Sequence, residues 1–171
     1  RLHRPHALYT IAPSHEVASR RHRRIPAIGA GCGFSSTAAP GGRSSVSDPI
    51  VVFGAGGHAR VVIDACMMHG RFEPLACLSK EPGSAVLGVP VHEEPQAEQL
   101  LRQGIRYAVV AIGENRIRQR VAAHAEALGF ELVTIVSPAA SVSRHAQLGR
   151  GVVVMAGAVI QAGASIGALA I

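Results

Sequence analysis

The sequence predicts a mixed α/β chain: a small parallel sheet, then the start of a left-handed parallel β-helix, behind a disordered basic tail. Two observations carry this. Short apolar runs alternate with helical stretches between residues 49 and 139, and bulky aliphatics recur every six positions from Val142 to Ile166.

Residues 1–48 come first and fit neither pattern. They are rich in Pro, Gly, Ser and Arg and show no helical or strand periodicity. Such a segment buries too little apolar surface to offset its ordering entropy, so disorder is expected. An Arg-rich, Ser-rich, acid-poor N-terminus also has the composition of an organelle transit peptide, and read-through from a misplaced start is a third possibility. No apolar core of a secretory signal is present. The tail holds seven arginines against Glu16 and Asp48, a net of +5, whereas residues 49–171 net +1 from nine arginines, Lys80 and nine acids. A basic nucleic-acid face on the folded part is therefore not indicated. Cys32, Cys66 and Cys77 are odd in number and lack CxxC spacing, which fits buried thiols in a reducing, cytoplasmic compartment.

At "PIVVFGAGGHARVVIDACMMHG" the pattern changes. An apolar run, Ile50 to Phe53, meets Gly54, Gly56 and Gly57, and a helical stretch follows with Val61, Ala65 and Met68 along one stripe. Glycines let a backbone approach a phosphate closely, and the free N–H groups of a helix start favour negative charge. "FEPLACLS" reads as a second strand and "VLGVPVH" as a short one. "EEPQAEQLLRQG" is a helix stopped by Gly104, and "YAVVAIG" is a buried strand. "ENRIRQRVAAHAEALG" is a helix presenting Ile117, Val121, Ala125 and Leu128, with Arg116, Arg118 and Arg120 as a solvated face. "FELVTIVSP" closes a Rossmann-like parallel sheet over residues 49–139. Gly54-x-Gly56-x-x-Ala59 fits a dinucleotide fingerprint superficially. That motif also needs an acid at the end of the second strand, where Ser79 and Lys80 stand, so an NAD(P)-binding oxidoreductase domain is the weaker alternative.

Residues 140–171 are predicted to be an incomplete hexapeptide β-helix. Val142, Leu148, Val154, Ile160 and Ile166 form one column, and Ala146, Val152, Ala158, Ala164 and Ala170 form a second. Gly151, Gly157 and Gly163 sit three after Leu148, Val154 and Ile160. A helix scatters a step of six around its axis, whereas extended chain points every sixth residue the same way. Three short strands per turn, bent at glycine corners, stack such columns inside a triangular prism. The uncharged stretch 151–171 is also long enough to span a bilayer as a helix, but a bilayer helix has no use for a six-residue period.

In their order, "VVFGAGGHARVVIDAC", "AIGENRIRQRV" and "IVSPAASVSRHAQLG" running into hexapeptides resemble the sialic acid O-acetyltransferase and UDP-amino-sugar N-acetyltransferase family (NeuD/PglD type) over residues 49–171. The resemblance implies an acetyl-CoA-dependent acetyltransferase acting on a sugar or nucleotide-sugar, N- or O-acylated. It implies a homotrimer built through the β-helix, with acetyl-CoA as co-substrate between neighbouring helices and neither nucleic-acid nor membrane partners. Gly54, Gly56, Gly57 and His58 match the family's glycine–histidine loop, and Gly113 and Asn115 match its second substrate loop. Ser79-Lys80 departs from the acidic pair common after the second strand. The family's catalytic His, a general base followed by an acid, falls just beyond Ile171. No catalytic residue and no metal ligand is therefore assigned here. His145 lies too early in the prism, and His92 and His124 read as surface residues. The expectation is a C-terminally truncated chain, inactive alone. A non-catalytic nucleotide-binding and oligomerisation module is the alternative.

Overall fold

The computed structural model describes residues 47–81 and 83–171. The expected disordered tail lies outside them except for Ser47 and Asp48, and Asp48 already opens the first strand.

Five parallel strands form one sheet in the order β3-β2-β1-β4-β5. They are β1 (Asp48–Phe53), β2 (Phe72–Ser79), β3 (Val91–Glu93), β4 (Tyr107–Val110) and β5 (Glu131–Leu132). Alternate residues of β1 enter different cores. Ile50 and Val52 pack with Ala59, Val62, Ile63 and Cys66 of helix α1 (Gly57–His69). Val51 and Phe53 pack with Ala97 and Leu100 of α2 (Ala97–Arg102) and with Ala122 and Ala125 of α3 (Asn115–Leu128). Both faces are thus covered, which is why β1 is apolar without alternation. Cys66 and Cys77 are buried and unpaired, and burial pushes their thiols up to about 12 and about 11.

Several expectations need correction. The stripe Val61, Ala65, Met68 is not the buried face of α1: Val61 and Met68 are half exposed, and Ala59, Val62, Ile63, Ala65 and Cys66 are buried. Apolar residues surround most of this helix, so its periodicity fits more than one stripe. On α3, Ile117 is exposed while Arg118, placed above on a solvated face, is only 8% exposed. The short third strand begins at Val91, because Val86 and Val89 bond to each other across a turn. The helix after it opens with a 3-10 turn, Glu94–Gln96, before α2.

"FELVTIVSP" is not one strand. Its first part is β5, and its second part, β6 (Ile135–Val136), starts the prism. β6 pairs with β9 (Val153–Val154), β7 (Ser141–Val142) with β10 (Val159–Ile160), and β8 (Gln147–Leu148) with β11 (Ser165–Ile166), all in parallel. Each partner lies 18 residues on, so three hexapeptides make one turn. The stacked pairs are Val136 on Val154, Val142 on Ile160 and Leu148 on Ile166. The column of aliphatics is therefore the ladder expected, beginning one repeat earlier than Val142. Gly151, Gly157 and Gly163 turn the corners with φ of +64°, +78° and +80°, and Leu169 takes the next corner at +62°. No described helix is long and apolar enough to cross a membrane, and residues 151–171 belong to the prism.

The prism does not hang free of the sheet. Ile135 and Val153, outward on its first face, are buried in the same core as α1. Thr134 ties the junction: its hydroxyl donates to Gly149 O at 2.8 Å and accepts from Val152 N at 3.3 Å. An ion pair joins Arg150 to Glu126 of α3.

Candidate functional site

The chain leaves β1 toward β2 on one side and returns to β4 on the other, so a crevice opens beyond the carboxyl ends of β1 and β4. In open α/β sheets this switch point is where ligands bind. Here it is a cleft of about 800 Å³. Gly54 to His58 form its floor, Ala111 to Gly113 one wall and Ser79 to Glu81 the other. Glu94, Ile117, Arg120 and His124 stand around the rim.

Gly54 is a structural requirement. Its φ is +117°, and a Cβ there would stand 2.7 Å from Ala111 O. Its N–H donates to Leu78 O at 2.8 Å, while Ala111 N–H donates to Phe53 O at 2.8 Å, which locks the two loops together. Gly56 and Gly57 differ: a Cβ on either would meet nothing within 4 Å. They border open space over the start of α1. That helix has Gly56 as N-cap, no side-chain cap and no acid in its first turn. Ala59 N–H donates back to Gly56 O at 3.1 Å, which leaves the N–H groups of Gly57 and His58 for an anion. The start of α3 is closed by contrast, because the Glu114 carboxylate accepts from Arg116 N at 2.9 Å and Ile117 N at 2.6 Å. Those bonds, with the nearby arginines, hold the Glu114 carboxyl below its usual range.

His58 lines the cleft, and its buried Nε2 finds no hydrogen-bond partner among the described residues. Burial, and after it the Arg118 charge, hold its imidazole below the ordinary histidine value. It is therefore neutral at neutral pH. Gly113 lines the cleft too, but Asn115 does not: its Oδ1 accepts from Arg118 Nη2 at 2.7 Å. The structure thus brings Gly54, Gly56, Gly57, His58 and Gly113 together and places Asn115 behind them.

Sequence reasoning missed four rim residues. Glu94 supplies an acid to the cleft from the 3-10 turn, not from the end of β2, where Ser79 and Lys80 stand. Nothing in its spacing announces this. Arg120 and His124 sit at i, i+4 on α3, with Ile117 three residues before Arg120. That spacing could have signalled one helix face bordering the site. Lys80 adds a second cation across the cleft. Outside it, His145 is an exposed prism corner whose carbonyl accepts from Gly163 N at 3.2 Å. His92 is half-buried on β3. Among the described residues, no three His, Cys, Asp or Glu side chains cluster to hold a metal ion.

Fold and cleft together define an α/β ligand-binding unit continued by a hexapeptide coil. Comparison with known proteins narrows this. Residues 49–125 match the family described as PglD N-terminal domain. A perosamine N-acetyltransferase variant from Caulobacter crescentus, solved with CoA and GDP-perosamine, is 42% identical with a TM-score of 0.68, covering 72% of this chain and 59% of that one. PerB from the same organism, with the same two ligands, gives 41% identity and 0.66 over 72% and 58%. The acetyltransferase domain of PglB from Neisseria gonorrhoeae, in complex with acetyl coenzyme A, gives 36% and 0.66 over 72% and 60%. No curated protein sequence matches. These matches support the NeuD/PglD-type acetyltransferase family for this chain. It spans about 59% of the length of the perosamine N-acetyltransferase it matches.

Proposed function

We propose that residues 49–171 are the acceptor-binding part of an acetyl-CoA-dependent acetyltransferase whose acceptor is a sugar carried on a nucleotide. One observation carries the reading: a cleft at the switch point whose floor is an uncapped helix start, flanked by Lys80 and Arg120. A diphosphate fits that floor, with Gly56 and Gly57 leaving it room and Lys80 and Arg120 supplying counter-charge. Gly54 holds the floor against the Ala111–Gly113 wall. Neutral His58 lines the floor beside the sugar, and Glu94 accepts hydrogen bonds from the nucleoside. Acetyl-CoA is the co-substrate of this reading, as in the complexes of the relatives, and the prism is the part that would assemble into a trimer.

No described residue is assigned as the catalytic base. Residues 135–171 contain one histidine, His145, flanked by Arg144 and Ala146 and not by an acid. The described residues are therefore expected to bind an acceptor, and none of them is assigned the transfer step. Calorimetry with GDP- and UDP-linked amino sugars tests the reading. Micromolar binding to either supports it, and no heat with any of them, from protein that is folded by circular dichroism, defeats it. NADH should show no fluorescence enhancement.

The ordered cleft and the stacked coil would equally serve a second reading, a binding and assembly module without catalysis. A chimera carrying the remaining coils of PerB separates the two. Release of CoA thiol in the presence of acceptor supports the enzyme, and binding with no release supports the module.

A further inference from the structure

Arg118 joins two parts of the molecule that the sheet does not connect. Its Nε donates to Leu169 O at 2.8 Å, in the second turn of the prism. Nη1 donates to Ile112 O at 2.9 Å and to Gly113 O at 2.8 Å, both in the cleft wall, and Nη2 reaches Asn115. A planar guanidinium can hold these four acceptors at once, whereas an ammonium on a flexible stem cannot.

The far end of the link is itself poised. Leu169 stands in the column of Gly151, Gly157 and Gly163 and shares their left-handed backbone, at φ +62°. A leucine keeps that conformation only where its surroundings over-determine it. Here its N–H donates to Arg150 O at 2.9 Å, Arg118 holds its carbonyl, and its side chain packs on the core beneath α3.

We propose that Arg118 is a positioning residue that couples the order of the Ile112–Gly113 wall to the seating of the prism's second turn. Its consequence for substrate rests on the cleft being the acceptor site: an acceptor that steadies the wall then steadies the turn, and the reverse holds by linkage. Because Arg118 lies behind the wall and not in the cleft, it acts through the loop.

Amide exchange on the full chain tests the coupling without ligand. Leu169→Ala loosens the second turn and is expected to speed exchange at residues 111–115 severalfold. In an Arg118→Lys background the same substitution should add nothing there. Equal acceleration in both backgrounds, or none in either, overturns the proposal. Unchanged exchange in β1 serves as the check that both variants fold. GDP and UDP, added separately to the wild type, extend the test. Binding that protects both 111–115 and 166–170, with the second protection lost and affinity about tenfold weaker in Arg118→Lys, supports it. Binding that protects only the wall overturns it. If neither nucleotide binds, the reading of the cleft fails, while the Leu169/Arg118 cycle still decides the coupling.

Discussion

Glycine does two different jobs in one loop, and single substitutions separate them. At Gly54 a side chain meets a backbone carbonyl and a left-handed φ together, so Gly54→Ala is expected to cost about 3 kcal/mol in urea denaturation. At Gly57 there is open space, so Gly57→Ala should leave stability within about 0.5 kcal/mol. Its Cβ would intrude on the helix start instead, so nucleotide affinity should fall while the fold stays intact. Equal stability losses for both would show that the cleft floor is only a turn. The two half-buried histidines give a pH signature. Burial keeps His58 and His69 neutral in the fold, whereas the unfolded chain takes up their protons below about 6.5. Unfolding then binds protons, so stability should rise with pH through the window below about 6.5 and level off above it. His58→Gln and His69→Gln, followed by thermal melts between pH 5 and 8, should each flatten that slope.

At the scale of elements, what matters is which face a strand or helix presents, and sequence pattern decides this unevenly. The inward ladder Val142, Leu148, Val154, Ile160, Ile166 was readable because six is even and the glycines mark the corners. The outward residues were not. Ile135, Ser141, Gln147, Val153, Val159 and Ser165 all hold the position before a ladder residue. Yet Ile135 and Val153 are buried while Val159 is 64% exposed. Only the docking of the first prism face on α1 makes the difference, and that is a tertiary fact. Ile135→Ala is therefore expected to cost about 2–4 kcal/mol and Val159→Ala less than about 0.5, measured by chemical denaturation. The same limit hid Arg118. Its charge reads as surface, and its burial depends on a carbonyl 51 residues away. It also hid Glu94, which reaches the cleft by tertiary placement alone. The glycine–histidine loop was legible because strand, turn and helix start are consecutive in the chain.

At the scale of the molecule, one apolar cluster runs from β1 and α1 through Val133 into Ile135 and Val153. Sequence periodicity divided residues 49–139 from 140–171 because the repeat changes there, but the core does not stop at the change. Residues 47–171 should accordingly unfold in one calorimetric transition, with calorimetric and van't Hoff enthalpies equal. Two separated transitions would show that sheet and prism are independent. The two-residue junction between β5 and β6 is bonded on both sides, Val133 N–H to Ala108 O in the sheet and Thr134 to Gly149 and Val152 in the prism, which leaves little slack for bending. A cleft fixed in this way to its coil cannot swing an acceptor toward a donor. On the proposed reading, the span between the two would be set when the chain folds, so the length of the acceptor from phosphates to reactive atom would act as the ruler that selects it.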